Sequence, residues 1–405
     1  MKKNKTIWVL NQTAGKIDSG WGERHYFLSK TWVDKGYDVK IISGSYNHLF
    51  SDQPEVGSKK FTIEPIENGI DFCWVKTPKY SGTGFAKFYS NLVYTLKVLF
   101  LKEKQLGRPH VIIVSSMPIF PIISALYLKK KFSAQKLIVE IRDLWPLTPI
   151  YLKGYSRNHP LVKILGWFEK LAYKKSDAIV SLLPNADAYI NSISKNEDKF
   201  VYIPNGINKN LIGNEALSKS VQELIPKNKF IIGYAGTIGM ANAMEVLVDT
   251  AIQMKDNTNI HFAIVGDGLS KEALVRKSEK TNNITFIPKI KKSQVQSMIS
   301  NFDVCYISRF ASPLYKHGVS YNKYFDYMLA KKPILESSEY IKDQVELSGC
   351  GVIVPPNDIV ALETAILELF QMSKDQLNTM GQKGYDYMIK YHDYEYLGKK
   401  YIELF

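Results

Sequence analysis

The chain is poor in cysteine, in long apolar runs and in acidic residues. Its three cysteines, Cys73, Cys305 and Cys350, lie far apart among 405 residues. An odd count without paired spacing argues against a disulfide scaffold or a zinc site, and fits a reducing cytoplasm. No stretch reaches the roughly 20 apolar residues that a membrane-spanning helix needs. Residues 85–101 are interrupted by Lys87, Asn91 and Lys97, and residues 119–128 run into lysines after ten positions. Such segments can lie on a bilayer but should not cross one. A secretory leader is not expected, because residues 1–5 run straight into a strand-length apolar stretch. No Asp-x-Asp motif stands at a strand end to clamp a divalent cation, so no metal or other cofactor is expected. No zinc-finger spacing, leucine zipper or RNP-type aromatic motif is present, which argues against nucleic acid.

Basic residues exceed acidic ones, 53 to 39, for a formal net charge of +14. They are dispersed, with small clusters at 129–131, 174–175 and 291–292. Two readings stand: solvated helix faces of a lysine-rich chain, or a patch facing an anionic membrane surface or phosphorylated substrates. A 45% hydrophobic share is ample for two cores, and this length favours two domains.

Strand-like and helix-like segments alternate along the chain. Apolar runs of strand length occur at 6–10, 39–43, 72–75, 111–115, 137–141 and 178–182, with helical patterns near 23–35, within 85–104, and at 121–131 and 161–174. Residues 199–208 end a short strand in a Pro-Asn-Gly turn, and 210–229 reads as linker. A second series begins at Phe230, with strands at 230–234, 261–265, 285–287, 304–307, 333–336 and 351–354 and helices between them. Buried strands alternating with helices predict parallel sheets covered on both faces, in an α/β fold of two doubly wound units. The expected domains are 1–205 and 206–384, with a C-terminal helix, 385–405, packing back on the first.

Three glycine turns follow strands: Gly20-Trp-Gly22, Gly236-Thr-Ile-Gly239 and Gly266-Asp-Gly268. Each reads either as a plain strand-to-helix turn or as an anion-accepting one, since a helix start offers unpaired N–H groups. The first does not match G-x-G-x-x-G, and strand 39–43 ends in Ser-Gly rather than an acidic residue, which disfavours a dinucleotide enzyme. Arg142 and Asp143, in VEIRDLWP at 139–146, place charge where a buried strand ends; that needs either a self-satisfied ion pair or a function. The densest stretch is GVSYNKYFDYM at 318–328. Ser320 and Tyr321 precede a helix start at Asn322, Lys323 adds a point charge, and Asp326 sits one turn on, placed to accept from a ribose diol.

The order of these motifs resembles glycosyltransferase family 4, a retaining family with the GT-B fold of two Rossmann-like domains facing a cleft. It is most similar to the subgroup building bacterial O-antigen and capsular polysaccharides. The matching stretches are the glycine loop with Arg24, EIRDLWP, IPNGI at 203–207, YAGTIG, IVGDG and SYNKYFDYMLAKKPIL at 320–335. The resemblance implies a nucleotide-diphospho-sugar donor, UDP-linked by preference, and a lipid-linked glycan acceptor. It implies a hexosyl or N-acetylhexosaminyl transfer in lipopolysaccharide or capsule synthesis. Gly236, Thr237, Asn322 and Lys323 fall at the diphosphate, Gly266 and Phe286-Ile287 near the base, and Asp326 at the ribose, with Ser320 and Tyr321 also among the donor-binding residues. Gly20 and Gly22 fall by the donor phosphate or sugar, Glu23 and Arg24 by the acceptor, and Arg142, Asp143 and Lys323 at the reacting centre. The enzyme is expected peripheral on the inner face of the cytoplasmic membrane.

Two departures from the family pattern matter. Its earlier signature glutamate would fall at Gly318, and the helix after YAGTIG lacks the usual Arg and Lys, so Arg309, Lys316 or Lys323 must supply that charge. Two alternatives stay open: a UDP-GlcNAc 2-epimerase, though no acidic and histidine constellation resembles its site, and a catalytically silent partner subunit.

Overall fold

The computed structural model describes residues 5–82, 84–208, 213–239, 242–339 and 344–405. Compact packing divides the chain into one unit of Met1–Asn205 with Tyr394–Phe405 and another of Gly206–Asp393. Of the stretch 210–229 read as linker, residues 210–212 lie outside the described residues; the remainder holds a short helix, Lys219–Gln222.

The first unit is built on an eight-stranded sheet: β1 Lys5–Leu10, β2 Tyr37–Gly44, β3 Phe61–Glu67, β4 Ile70–Val75, β5 Pro109–Ser115, β6 Lys136–Ile141, β7 Ala178–Ser181 and β8 Phe200–Tyr202. Their order is β3-β4-β2-β1-β5-β6-β7-β8. All neighbours are parallel except β3 and β4. Central strands such as β5 and β6 are near-continuous Val and Ile because helices cover both faces. The edge strand β3 escapes a sequence reading for the opposite reason. Its FTIEPIE is only half-buried, carries Pro65, and shifts register beside it, as edge strands do.

The second unit holds β9 Phe230–Ala235, β10 Ile260–Val265, β11 Ile284–Ile287, β12 Val304–Ser308, β13 Ile334–Ser337 and β14 Gly351–Val354. Their order is β11-β10-β9-β12-β13-β14, all parallel. Counted within the unit this is 3-2-1-4-5-6, the doubly wound Rossmann order. The first unit repeats it as β4-β2-β1-β5-β6-β7, with β3 added at one edge and β8 at the other. The winding reverses between β1 and β5 and between β9 and β12, so each sheet has a crevice at those strands' carboxyl ends, where ligands of such folds bind.

A buried carboxylate ties the first unit together. Glu140, penultimate in β6, is wholly inaccessible. Its Oε2 accepts from Arg24 Nε at 2.9 Å and from the Tyr401 hydroxyl, and its Oε1 accepts from Ser115 Oγ at 2.9 Å. His25 also faces it, with Nε2 3.1 Å from Oε1. Thr13 N–H donates to Asn11 Oδ1, which turns the Asn11 amide so that Nδ2 donates to His25 Nδ1 at 3.0 Å. The ring hydrogen therefore sits on Nε2, facing Glu140. Burial holds His25 below its ordinary pKa against the pull of Glu140. Burial pushes the Glu140 carboxyl up, but Arg24 and His25 outweigh it and hold the group well below the ordinary range.

Arg24 also donates to the carbonyls of Ile203 and Pro204, so it joins helix Arg24–Asp34 to the chain leaving β8. Tyr401 brings in helix Tyr394–Ile402. Trp32 Nε1–H donates to Gly398 O at 3.2 Å, and Phe27 stacks on Tyr394 at 5.2 Å between ring centroids. The returning segment begins at Tyr394; residues 385–392 belong to helix Lys374–His392 and stay with the second unit.

Tyr401→Phe leaves Glu140 the Arg24 and Ser115 donors and should cost about 1.5–3 kcal/mol, the worth of a hydrogen bond to a charged group. Glu140→Ala strands the Arg24 cation in the interior and should cost about 3–5 kcal/mol. Urea unfolding of the full chain checks the order; equal effects from both would mean that the carboxylate is not the hub.

Candidate functional site

In the second unit β9 ends at Ala235, and the chain turns through Gly236, Thr237, Ile238 and Gly239. Gly236 N–H donates to Val265 O at 2.9 Å, and Ile238 N–H to Asp267 O at 2.9 Å. The turn is thus laid backbone to backbone on the turn 266–268 that follows β10. A Cβ on Gly266 would stand 1.9 Å from Gly236 O, so only glycine allows the approach. The result is a close stack of two glycine turns at the switch point of the sheet.

Two cations lie against it, Lys271, whose Nζ donates to Gly266 O at 2.9 Å, and Lys323. Lys323 Nζ donates to Asn242 Oδ1 at 3.1 Å and sits 5.3 and 5.7 Å from the ring centroids of Tyr234 and Tyr321. Its Cε is 2.4 Å from where a Gly236 Cβ would be. Tyr234 hydroxyl and Asn242 Nδ2 both donate to Thr237 O, at 2.6 and 2.8 Å, which holds the exposed Thr237 in place. Burial brings Lys323 down to about 8 against the pull of Asp326.

Lys323 is placed by helix Asn322–Leu329, entered through an extended Tyr321 and free of acidic residues in its first turn. Ala235 N–H donates to the buried Tyr327 hydroxyl at 3.0 Å and so docks this helix against the end of β9. Asn322 is exposed, and Ser320, Tyr321 and Asp326 are half-buried. Burial pushes the Asp326 carboxyl up to about 6, with Lys292 and Lys323 opposing. The structure therefore brings Gly236, Thr237, Gly266, Tyr321 and Lys323 together, with Asp326 one turn behind Lys323. Gly318 has a φ of 85°, a conformation that disfavours a side chain, so a glutamate at that position would be strained.

Two expected donor contacts are otherwise engaged. Arg309 is buried; its Nη2 donates to Glu336 and to Ser338 Oγ at 3.2 Å. Glu336 also accepts from the Tyr324 hydroxyl at 2.9 Å and from Ser338 Oγ at 2.7 Å. The Arg309 charge thus neutralises a buried carboxylate, because an unpaired one is too costly inside. Ile287 turns its side chain into the core, and its carbonyl accepts from Gly266 N–H at 3.1 Å. Lys316 is exposed on the turn Tyr315–His317.

In the first unit Gly20 and Gly22 double the loop back, so that Gly15 N–H donates to Gly22 O. Glu23 is half-buried at the start of its helix. Arg24, expected at the acceptor, is instead buried on Glu140 and two carbonyls. Arg142 and Asp143 are half-buried after β6. Arg142 N–H donates to Ser116 Oγ at 3.0 Å, and burial pushes the Asp143 carboxyl up against the pull of Arg142. Glu140, His25 and Tyr401 were not singled out by the sequence; the available signal was an acidic residue inside the apolar run of β6.

Residues 229–372 match the family model "Glycosyl transferases group 1", about a third of the chain. A probable glycosyltransferase of Pseudomonas aeruginosa, WbjE, is 21% identical over 249 residues, covering 60% of this chain and 62% of that protein. The chain is thus matched over less than two thirds of that relative's length. Among solved structures, sucrose-phosphate synthase from Thermosynechococcus elongatus superposes with a TM-score of 0.72 at 16% identity, over 99% of this chain and 98% of that one. Anabaena HepE, in complex with UDP and glucose, does so at 0.65 and 12% identity over the same shares. At such identities the likeness shows the fold, which is GT-B: two Rossmann-like α/β domains.

The two displaced pKa values fix a sign for stability. Between pH 3.8 and about 6 the unfolded chain has lost the Asp326 proton while the folded chain keeps it, so stability falls as pH rises through that window. Lys323 is charged in the unfolded chain up to about 10.5 but loses its proton near 8 when folded, so its burial cost is complete below pH 8. Asp326→Asn should therefore raise Tm at pH 7 but not below pH 3.8, and Lys323→Met should raise it at pH 7 but not above 10.5. Scanning calorimetry decides; a lowered Tm at pH 7 in both variants would show that these charges stabilise the fold.

Proposed function

We propose that the chain is a retaining glycosyltransferase that moves a hexosyl or N-acetylhexosaminyl group from a nucleotide-diphospho-sugar, UDP-linked, to a lipid-linked glycan in cell-surface polysaccharide synthesis. The observation that carries this reading is the Lys323 ammonium laid over bare Gly236 where β9 ends. It lies within the residues that match a glycosyltransferase family model. The HepE structure that shares the fold holds UDP and glucose.

The chemistry follows from the charge that must be stabilised. As the bond from the sugar's C1 to the phosphate oxygen breaks, negative charge grows on the leaving diphosphate. Lys323, prepositioned beside the turn 236–239, stabilises it without a metal cofactor. Asp326 accepts from the ribose diol. With retention the acceptor hydroxyl attacks from the leaving-group face and passes its proton to the departing phosphate, so no enzyme nucleophile is required. Asp143, with Arg142 beside it, positions the acceptor hydroxyl.

Peripheral attachment to the inner leaflet belongs to this reading. Among the described residues no helix is long and apolar enough to cross a membrane. Helices Phe85–Val98, Ile122–Phe132 and Pro160–Lys175 carry two, three and four lysines, and between them one acidic residue, Glu169, which is buried. The same helices expose Phe85, Tyr89, Leu96, Tyr127, Ile164 and Trp167. Of the expected segment 119–128, Ile119, Ile122, Ala125 and Leu128 are buried, while Ile123 and Tyr127 are exposed. Lysines interleaved with exposed aromatics suit an anionic headgroup layer.

Thermal shift with UDP, GDP and dTDP should single out UDP, since a ligand bound only by the folded state raises Tm by mass action. UDP affinity should weaken as pH rises through about 8, where Lys323 loses its charge. In Lys323→Met it should be weaker at pH 7 and flat with pH. In a transfer assay Asp143→Asn should lower kcat while leaving UDP affinity intact. No stabilisation by any of the three nucleotides would reject the donor reading. Sedimentation with vesicles tests attachment: binding to anionic but not neutral vesicles at low salt is expected, and none to either would end the membrane assignment.

A further inference from the structure

At the carboxyl ends of three adjacent strands, the first unit buries four polar side-chain atoms without a hydrogen-bond partner among the described residues. Gln12 Oε1 follows β1, Asn47 Nδ2 and His48 Nδ1 follow β2, and Thr77 Oγ1 follows β4. Gln12, Asn47 and Thr77 are 2%, 1% and 7% exposed. An unsatisfied buried polar group costs about 1–3 kcal/mol, so four at one sheet edge need an explanation.

The groups are gathered together. Gln12 Cγ and Thr77 Oγ1 lie 3.0 and 3.5 Å from the position of a Cβ on Gly44. The Tyr80 ring lies 5.3 Å from both the Tyr46 and His48 rings, edge-on. Lys87 Nζ stands 5.9 Å from the centroid of Tyr80. Burial lowers the Lys87 pKa, and the charge of Lys153 lowers it further. Among the described residues Lys87 makes no ion pair, so its charge is available to an anion.

We propose that Gln12, Asn47, His48 and Thr77, with Lys87 beside them, form a subsite for the glycosyl phosphate head of the acceptor. The amide, imidazole and hydroxyl groups meet the sugar's hydroxyls, and Lys87 meets the phosphate ester through which a lipid-linked sugar is carried. The assignment rests on the glycosyltransferase reading for its substrate class, and uses none of the donor or catalytic residues assigned there. The Gln53 side chain closes segment 47–53 on itself, accepting from Asn47 N–H and donating to Asn47 O at 3.3 and 2.7 Å. Ser51 N–H anchors the segment on Ser19 O at 2.9 Å, which fixes Asn47 and His48 in place.

The probes are glucose 1-phosphate, galactose 1-phosphate and N-acetylglucosamine 1-phosphate, with inorganic phosphate as control, titrated into the full chain by saturation-transfer NMR. Saturating UDP is present to fill the second unit's site. At least one glycosyl phosphate should bind more tightly than phosphate. Thr77→Val deletes an unpartnered hydroxyl at constant shape, so it should hold or raise Tm, weaken that binding about tenfold and leave the UDP thermal shift unchanged. Asn47→Asp keeps the oxygen that accepts from Leu49 N–H and removes the unpartnered donor, so it should weaken binding in the same way. A lowered Tm with unaltered binding in Thr77→Val would overturn the proposal, as would a wild-type chain that binds UDP but no glycosyl phosphate. Failure to bind UDP would instead remove the donor reading and leave the subsite to be judged by the glycosyl phosphates alone.

Discussion

The structure depends on carboxylates buried at equivalent places in its two sheets. Glu140 is penultimate in β6 and Glu336 penultimate in β13, and both strands are fifth in the doubly wound order of their units. Each carboxylate takes an arginine, a serine hydroxyl and a tyrosine hydroxyl: Arg24, Ser115 and Tyr401 in the first, Arg309, Ser338 and Tyr324 in the second. A charge in such a place persists only when fully paired, and removing one partner costs more than the pair is worth. The hubs therefore fix the surroundings of both crevices. One orients the first helix and holds the returning C-terminal helix; the other holds Tyr324, and with it the helix that carries Lys323 and Asp326.

That constraint decides which charges remain for a substrate. Arg24 and Arg309 look like anion ligands in the sequence, but both are committed inside. Near the glycine turns of the second unit two cations remain: Lys271, whose Nζ donates to Gly266 O at 2.9 Å, and Lys323, itself half-buried and close to losing its proton at neutral pH. The same low-polarity surroundings that make Lys323 expensive to charge strengthen its grip on a diphosphate once formed. In the first unit the excess positive charge has gone to three helices whose acidic content is one buried glutamate. The net charge of the chain is thus distributed by face rather than evenly.

Much of the architecture was legible in the sequence because its signals are local. Parallel central strands are continuous Val and Ile runs, glycines mark turns where backbones must touch, and the SYNKYFD stretch announces a helix start with a lysine and an aspartate one turn apart. The expected strands and the doubly wound pattern follow from these alone, since burial on both faces leaves no alternation to misread. The edge strand β3 was illegible for the converse reason, being half-exposed and broken by Pro65. Glu140 was visible as a letter inside EIRDLWP but not as a hub, because its partners come from positions 24, 25, 115 and 401.

The sequence by itself therefore determined the fold class, the two-unit organisation and the segment that places Lys323 and Asp326. Each of these depends on spacing within some thirty residues of chain. Tertiary structure alone decided which ionisable groups are partnered. Arg24, Arg309 and Ile287 moved from ligand candidates to internal ties, and Gln12, Asn47, His48 and Thr77, ordinary in the sequence, became a cluster of unsatisfied groups. The physical reason is that pairing and burial depend on what the folded chain brings within about 3 Å, and hydrogen bonding is too short-ranged for sequence separation to report it.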